Sequence, residues 1–143
     1  MLVLGRRGPD QPAPASIVTG AAWVRGLARP TEPSRLVVEE VTFAPSSYTV
    51  WHAHPFGQLI IVTAGNGWLQ SRGQPAVAIS TGDAVWIEPG EEHWHGSTPE
   101  TVLTHLTVQE HDGGKEAVIG GNLSDDSYPP MTRHRADTEG PAT

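Results

Sequence analysis

Glycine and proline interrupt this chain so often that a long helix has almost nowhere to sit. The 16 Gly and 13 Pro make up about a fifth of the 143 residues, and the longest run free of both is 13 residues, 100–112. Proline removes a backbone donor and clashes with the preceding turn, while glycine costs entropy inside a helix. A helical bundle is therefore excluded and an all-β fold is expected. Short apolar stretches separated by turn residues, about ten residues apart, form the pattern of a sandwich or barrel. The spacing predicts strands at 16–24, 36–44, 48–54, 58–64, 67–72, 76–80, 84–88, 92–96 and 101–109. Asn66-Gly67, between Leu59-Ile60-Ile61-Val62 and Trp68-Leu69, predicts a tight hairpin, because that pair tolerates positive φ angles. Strands this short tend to close up, since open edges template aggregation.

Length and composition bound the remaining possibilities. A chain of this size fits one domain, read as residues 16–130, between a flexible N-terminal segment (1–15) and a disordered tail (131–143). The formal charge of −7, with nine Lys and Arg against 16 acids, argues against a nucleic-acid surface. No apolar run approaches the roughly 20 residues of a membrane span. The absence of Cys removes disulfides, thiolate metal sites and cysteine nucleophiles, and no stretch resembles a signal peptide, so a cytoplasmic protein facing a small-molecule substrate is expected.

Histidine is the informative anomaly. Five of the seven histidines, His52, His54, His93, His95 and His105, fall in the strand-rich middle, and four of them form two His-x-His pairs. Side chains at i and i+2 share one face of a strand, so both imidazoles of a pair enter the same cavity if either does. Buried imidazoles need partners for four ring nitrogens, and a divalent cation satisfies one on each ring at once. Gln58 follows His54 across the turn Pro55-Phe56-Gly57, which can bring an amide oxygen back to the same point. A solvent-facing strand pair is the alternative for a single such motif; two of them, each beside Pro/Gly turns, favour metal.

These residues resemble the cupins. His52-x-His54-x3-Gln58-x6-Gly65 matches the first cupin motif, and Gly82 through Pro89-Gly90-x2-His93 matches the second with one extra residue before the proline. The stretch from Val41 to Glu110 is similar to small single-domain cupins often labelled carboxymuconolactone-decarboxylase-like, and looks closest to the manganese-dependent cupin hydroxynitrile lyases. The resemblance implies a double-stranded β-helix, or jelly-roll, barrel with a short C-terminal helix, usually a homodimer, with a divalent transition metal in its mouth. Its ligands would be His52, His54, Gln58 and His93. Gln58 stands where the general motif has Glu, so all four ligands are neutral and a bound cation keeps its full charge. Mn2+ or Fe2+ is expected, while Ni, Co and Zn also suit such ligands.

The resemblance implies further roles. The histidine matching His105 faces the metal-bound substrate, which makes His105 the candidate proton carrier; the alternative is a neutral core histidine. His95 is either support for a ligand or an exposed residue. If Val41 and Phe43 point inward, period two points Glu39 inward as well, a carboxylate where the lyase-like cupins have a small apolar residue. Glu39 is thus a second catalytic candidate, with a solvated strand-end Glu as its alternative. Val41, Thr49, Gln109 and His95 are candidate substrate contacts. Trp51, Trp86 and Trp94 read as barrel packing or dimer interface, Gly113-Gly114-Lys115 as a turn, and Asn122 through Tyr128 as a helix start capped by Ser124. The expected activity is lyase-type chemistry on a small hydroxy or carbonyl compound. An Fe- or Mn-dependent dioxygenase and a non-catalytic metabolite-binding cupin are the alternatives.

Overall fold

A computed structural model describes residues 1–5 and 10–130, so the expected tail at 131–143 lies outside the described residues. The chain forms twelve strands: β1 (Gln11–Pro12), β2 (Val18–Thr19), β3 (Ala22–Ala28), β4 (Leu36–Phe43), β5 (Tyr48–Thr49), β6 (Trp51–Ala53), β7 (Gln58–Ser71), β8 (Val77–Ser80), β9 (Ala84–Ile87), β10 (His93–Ser97), β11 (Leu103–Glu110) and β12 (Val118–Gly121). Every pairing is antiparallel. No helix among the described residues is long and apolar enough to cross a membrane.

The strands make two sheets joined by one long member. In the first, β1-β3-β4-β11 continue into the N-terminal part of β7, which also pairs β9. In the second, the C-terminal part of β7 pairs β8 and β10, and β10 carries β5 and β6, flanked by β2 and β12. The expected hairpin at Asn66-Gly67 is therefore corrected: β7 runs unbroken through this pair, from one sheet into the other. Two glycines explain the crossing. Gly65 has φ of 77° where Cβ would collide with the Val102 carbonyl, and a Cβ on Gly67 would collide with the Gly96 carbonyl. The glycines serve close backbone approach between neighbouring strands rather than chain reversal.

Other differences are local. The strand expected at 16–24 divides into β2 and β3 around Gly20, and the one at 48–54 into β5 and β6 at Val50. Within the N-terminal segment expected to be flexible, β1 pairs β3 and the Ala13 amide donates to the Ala22 carbonyl. No C-terminal helix forms among the described residues: those after Ser124 make one turn, closed by the Ser127 amide on the Ser124 carbonyl. Pro129 and Pro130 follow too soon for a second turn, and the residue before a proline avoids helical geometry. Gly113-Gly114 does form a turn, bridged by Asp112 and Lys115.

The core lies between the sheets, where Phe43, Ile60, Val62, Leu69, Ile79, Ile87 and Leu103 pack together. Each such side chain contributes roughly 1.5–3 kcal/mol by leaving water. Of the tryptophans, Trp94 and Trp51 are buried, whereas Trp86 is 54% exposed. Period-two alternation along β4 and β11 then sets the layers of the inner wall. Leu103 pairs Phe43, His105 pairs Val41, Thr107 pairs Glu39, and Gln109 pairs Val37. On its other side β11 sets His105 against Val62, Thr107 against Ile60 and Gln109 against Gln58. Apolar core thus gives way, layer by layer, to polar groups at the open end.

Candidate metal centre

The open end holds a cavity of about 240 Å³, lined among others by Val24, Glu39, Val41, Phe43, Thr49, His52, His54, Gln58, His95, Thr107, Gln109 and Ile119. The second sheet supplies the imidazoles. His52 on β6 and His93 on β10 are directly paired residues, so their rings lie side by side with centroids 4.3 Å apart. His54 follows β6, and its ring centroid is 5.1 Å from that of His52 and 5.5 Å from that of His93. Gln58 opens β7 and reaches in from the first sheet.

Backbone carbonyls fix the tautomers of three of these rings. Nδ1–H of His52 donates to Val50 O at 2.9 Å, that of His54 to Glu116 O at 2.7 Å, and that of His93 to Glu91 O at 2.8 Å. Each ring is then neutral with its lone pair on Nε2. Burial is the main reason these rings stay uncharged: it holds His52 down at about 3 and His93 at about 4, and it lowers His54 as well. The lone pairs lack protein donors. His54 Nε2 is buried without a partner, and His93 Nε2 sits 3.2 Å from Gln58 Oε1, another acceptor. Gln58 holds that orientation by donating its Nε2–H to Gln109 Oε1 at 2.8 Å. Turning both amides over would give His93 a donor, so the arrangement with Oε1 inward suits a cation. The donor set fits a divalent metal, because acceptors that repel one another are drawn together by a shared positive charge.

Two criteria select overlapping histidines. His52, His93 and His95 present ligand atoms all within 4.8 Å of one another, which places His95 closer to the metal position than a supporting role requires. His54 falls outside that triangle, yet it carries the unpartnered Nε2 and the carbonyl-fixed tautomer. His95 instead has one ring nitrogen committed, with Nδ1 3.0 Å from His105 Nε2. Both criteria contain His52 and His93.

The remaining candidates separate into two ranks. His95, Thr49, Val41, Gln109 and Glu39 line the cavity. His105 does not: it is fully buried behind His95, with Phe43 5.7 Å away, and its Nδ1 has no partner. Burial holds it at about 4, and it also drives His95 well below the usual histidine range. Glu39 faces inward as period two requires, and burial, followed by the nearby Glu116 charge, raises its carboxyl. Thr107, Glu116 and Ile119 were not singled out from the sequence as site residues. Thr107 is legible in hindsight from its place between His105 and Gln109 on one face. Glu116 is not, because it acts through a backbone carbonyl that any residue carries.

Comparison with known proteins agrees with this geometry. Residues 36–110 match the family model of the AraC-like ligand binding domain. The chain is 43% identical over 115 residues to an (R)-mandelonitrile lyase from Granulicella tundricola, covering 80% of this chain and 88% of the relative. Among solved structures, a cupin-like protein from Thermotoga maritima is 35% identical with a TM-score of 0.77, covering 82% of this chain and 89% of that one. The polyketide cyclase RemF from Streptomyces resistomycificus is 27% identical with a TM-score of 0.60, each chain covered to 75%. The chain belongs to the AraC-like ligand binding domain family, as a small cupin related to the hydroxynitrile lyases.

Proposed function

We propose that this cupin is a metal-dependent lyase of the hydroxynitrile-lyase type, acting on a small hydroxy or carbonyl compound. The observation that carries the reading is the set of inward lone pairs: three imidazole Nε2 atoms and one amide oxygen, all neutral and held by backbone or amide hydrogen bonds. His52, His54, Gln58 and His93 would hold a divalent transition metal, Mn2+ or Fe2+ in the first instance; His54 is preferred to His95 because its lone pair has no other use. When bound, such an ion supplies Lewis acidity with its +2 charge undiminished by carboxylate ligands. His95 presents its ring to the cavity and is the group able to touch substrate. His95 Nε2 accepts the hydroxyl proton as the C–CN bond breaks, with His95 Nδ1–H passing to His105 Nε2 across their 3.0 Å contact, and the reverse transfers deliver the proton to the departing cyanide. His105 thereby acts through its neighbour. Val24, Val41, Phe43 and Ile119 keep water from the reacting carbon.

The resemblance to a protein named mandelonitrile lyase supplies the first substrate to try. Protein loaded with Mn2+ should release benzaldehyde from mandelonitrile under argon at a rate well above the metal-stripped protein, and equal rates would overturn the reading. A second reading, a non-catalytic ligand-binding cupin, is favoured by the family match itself. It predicts tight metabolite binding with no turnover of any hydroxynitrile, and oxygen uptake by the metal-loaded protein would point instead to a dioxygenase. A homodimer and a cytoplasmic location are part of the same proposal.

A further inference from the structure

The wall opposite the imidazoles carries two polar groups with no hydrogen-bond partner among the described residues. Thr107 is 3% exposed, lines the cavity, and its Oγ1 is buried without a partner. A buried hydroxyl left unpaired is destabilising, and such a group is accounted for where a ligand completes it. Glu39 is its cross-strand partner in the β4–β11 ladder, so the two side chains stand next to each other on the same face. The Glu39 carboxyl makes no hydrogen bond or ion pair among the described residues, since the nearby Arg29 is paired with Glu116. Their neighbours on this face are mixed: Val37 and Val41 flank Glu39 on β4, Val24 lies on β3 and Ile60 on β7, while His105 and Gln109 flank Thr107 on β11 and Glu116 lines the cavity nearby.

We propose that Glu39 and Thr107 form a second recognition point, which takes a hydrogen-bond donor on the substrate at the end away from its metal-binding oxygen. This rests on the metal-dependent reading above and deepens it by naming the substrate class: a small α-oxygenated compound bearing a second hydroxyl or an ammonium group. The layers of the ladder set the geometry. Gln58 lies on β7 and Glu39 on β4, two strand spacings or about 10 Å apart across β11. Both side chains project inward from that sheet, and a three- or four-carbon molecule with a polar contact of about 3 Å at each end spans such a distance. Glu39 and Thr107 sit one layer from His105 and one from Gln109, so a substrate anchored at the metal passes His95 before meeting them. The carboxylate accepts from the donor, and the hydroxyl accepts from or donates to the same group.

Three 2-hydroxy acids that differ only at carbon 3 test the assignment: lactate with a methyl group, glycerate with a hydroxyl, and isoserine with an ammonium. Their affinities for Mn2+-loaded protein are measured by calorimetry, with metal content checked in each sample. Glycerate or isoserine should bind at least ~10-fold tighter than lactate, and Glu39→Ala and Thr107→Val should each cut that ratio to ~3-fold or less with metal content held. A preference for isoserine identifies the ammonium as the matching donor, and a preference for glycerate the hydroxyl. Equal affinity for all three, or a preference that survives both substitutions, would overturn the recognition point while leaving the metal centre standing. Failure of the protein to take up Mn2+ would overturn both.

Discussion

The two walls of the cavity solve opposite problems. On the wall built from β6 and β10, the ring nitrogens of His52 and His93 that face away from the cavity are tied to backbone carbonyls, and so is that of His54 beside them. On the wall built from β4 and β11, Glu39 and Thr107 have no hydrogen-bond partner among the described residues, and they stand among the apolar Val37 and Val41 as well as His105 and Gln109. A group whose outer contacts are fixed is preorganised to hold one thing in one place, as a metal requires. Polar groups left open in an apolar surround instead discriminate among molecules that come and go. Under the proposed function, anchoring falls to the imidazoles of the second sheet together with Gln58 from the first, selection falls to Glu39 and Thr107, and each can be disturbed separately.

The most damaging change to the imidazole wall is His93→Ala. It removes a ring common to both groupings and should weaken Mn2+ binding by more than about 100-fold while the fold is retained, as read by metal analysis and circular dichroism. The pair His54→Ala and His95→Ala sharpens this: the first should empty the site and the second should leave metal largely in place, and the reverse pattern would assign the third imidazole to His95. Next in size, His105→Gln should lower turnover by ~100-fold at unchanged metal content, because it cuts the proton's onward path without touching the anchoring wall.

Acid separates the walls by sign. The five histidines in and behind this site are all held below the ordinary histidine range, His52 at about 3 and His93 and His105 at about 4. Between pH ~6.5 and ~4 the unfolded chain binds protons that the folded chain refuses, so stability rises with pH across that window and is lost as pH falls through it. Glu39 has the opposite sign: its raised carboxyl holds a proton longer in the fold, and it opposes folding as pH rises through the carboxylate range. With five groups against one, metal-free protein should lose on the order of 10 °C in Tm between pH 7 and pH 5. A flat profile would show that the rings are already charged or exposed. The smallest effect is expected far from both walls. Asn66→Ala should cost less than about 0.5 kcal/mol in a denaturant titration, because Asn66 lies in a continuous strand and no tight turn depends on it.

The site was more legible than the chain's path. His52, His54, Gln58 and His93 announce themselves by residue type and spacing, and the structure brings all four to one end of the sandwich. The inward facing of Glu39 followed from period two once the resemblance had placed Val41 and Phe43 inward. Asn66-Gly67 misled because its local chemistry is that of a turn, while the demand that decided it, room for the Val102 and Gly96 carbonyls, comes from residues about 30 positions away. Ser124 misled in a simpler way, since a cap needs helical residues after it and the prolines at 129 and 130 cut them off. His105 was legible as an inward-facing residue of β11, but its place behind His95 was not, because depth along a shared face depends on how the two sheets meet.

The passage of β7 through both sheets has a mechanical consequence. Gln58 stands at one end of a continuous rod, and the other end is bonded to the strand that carries His93. Any hinge of one sheet against the other pivots where Gly65 meets the Val102 carbonyl. For the proposed metal, the bite of the donor atoms, and with it the ionic radius that fits best, would follow from how the two sheets meet at that pivot together with the loops that carry His54 and Glu116.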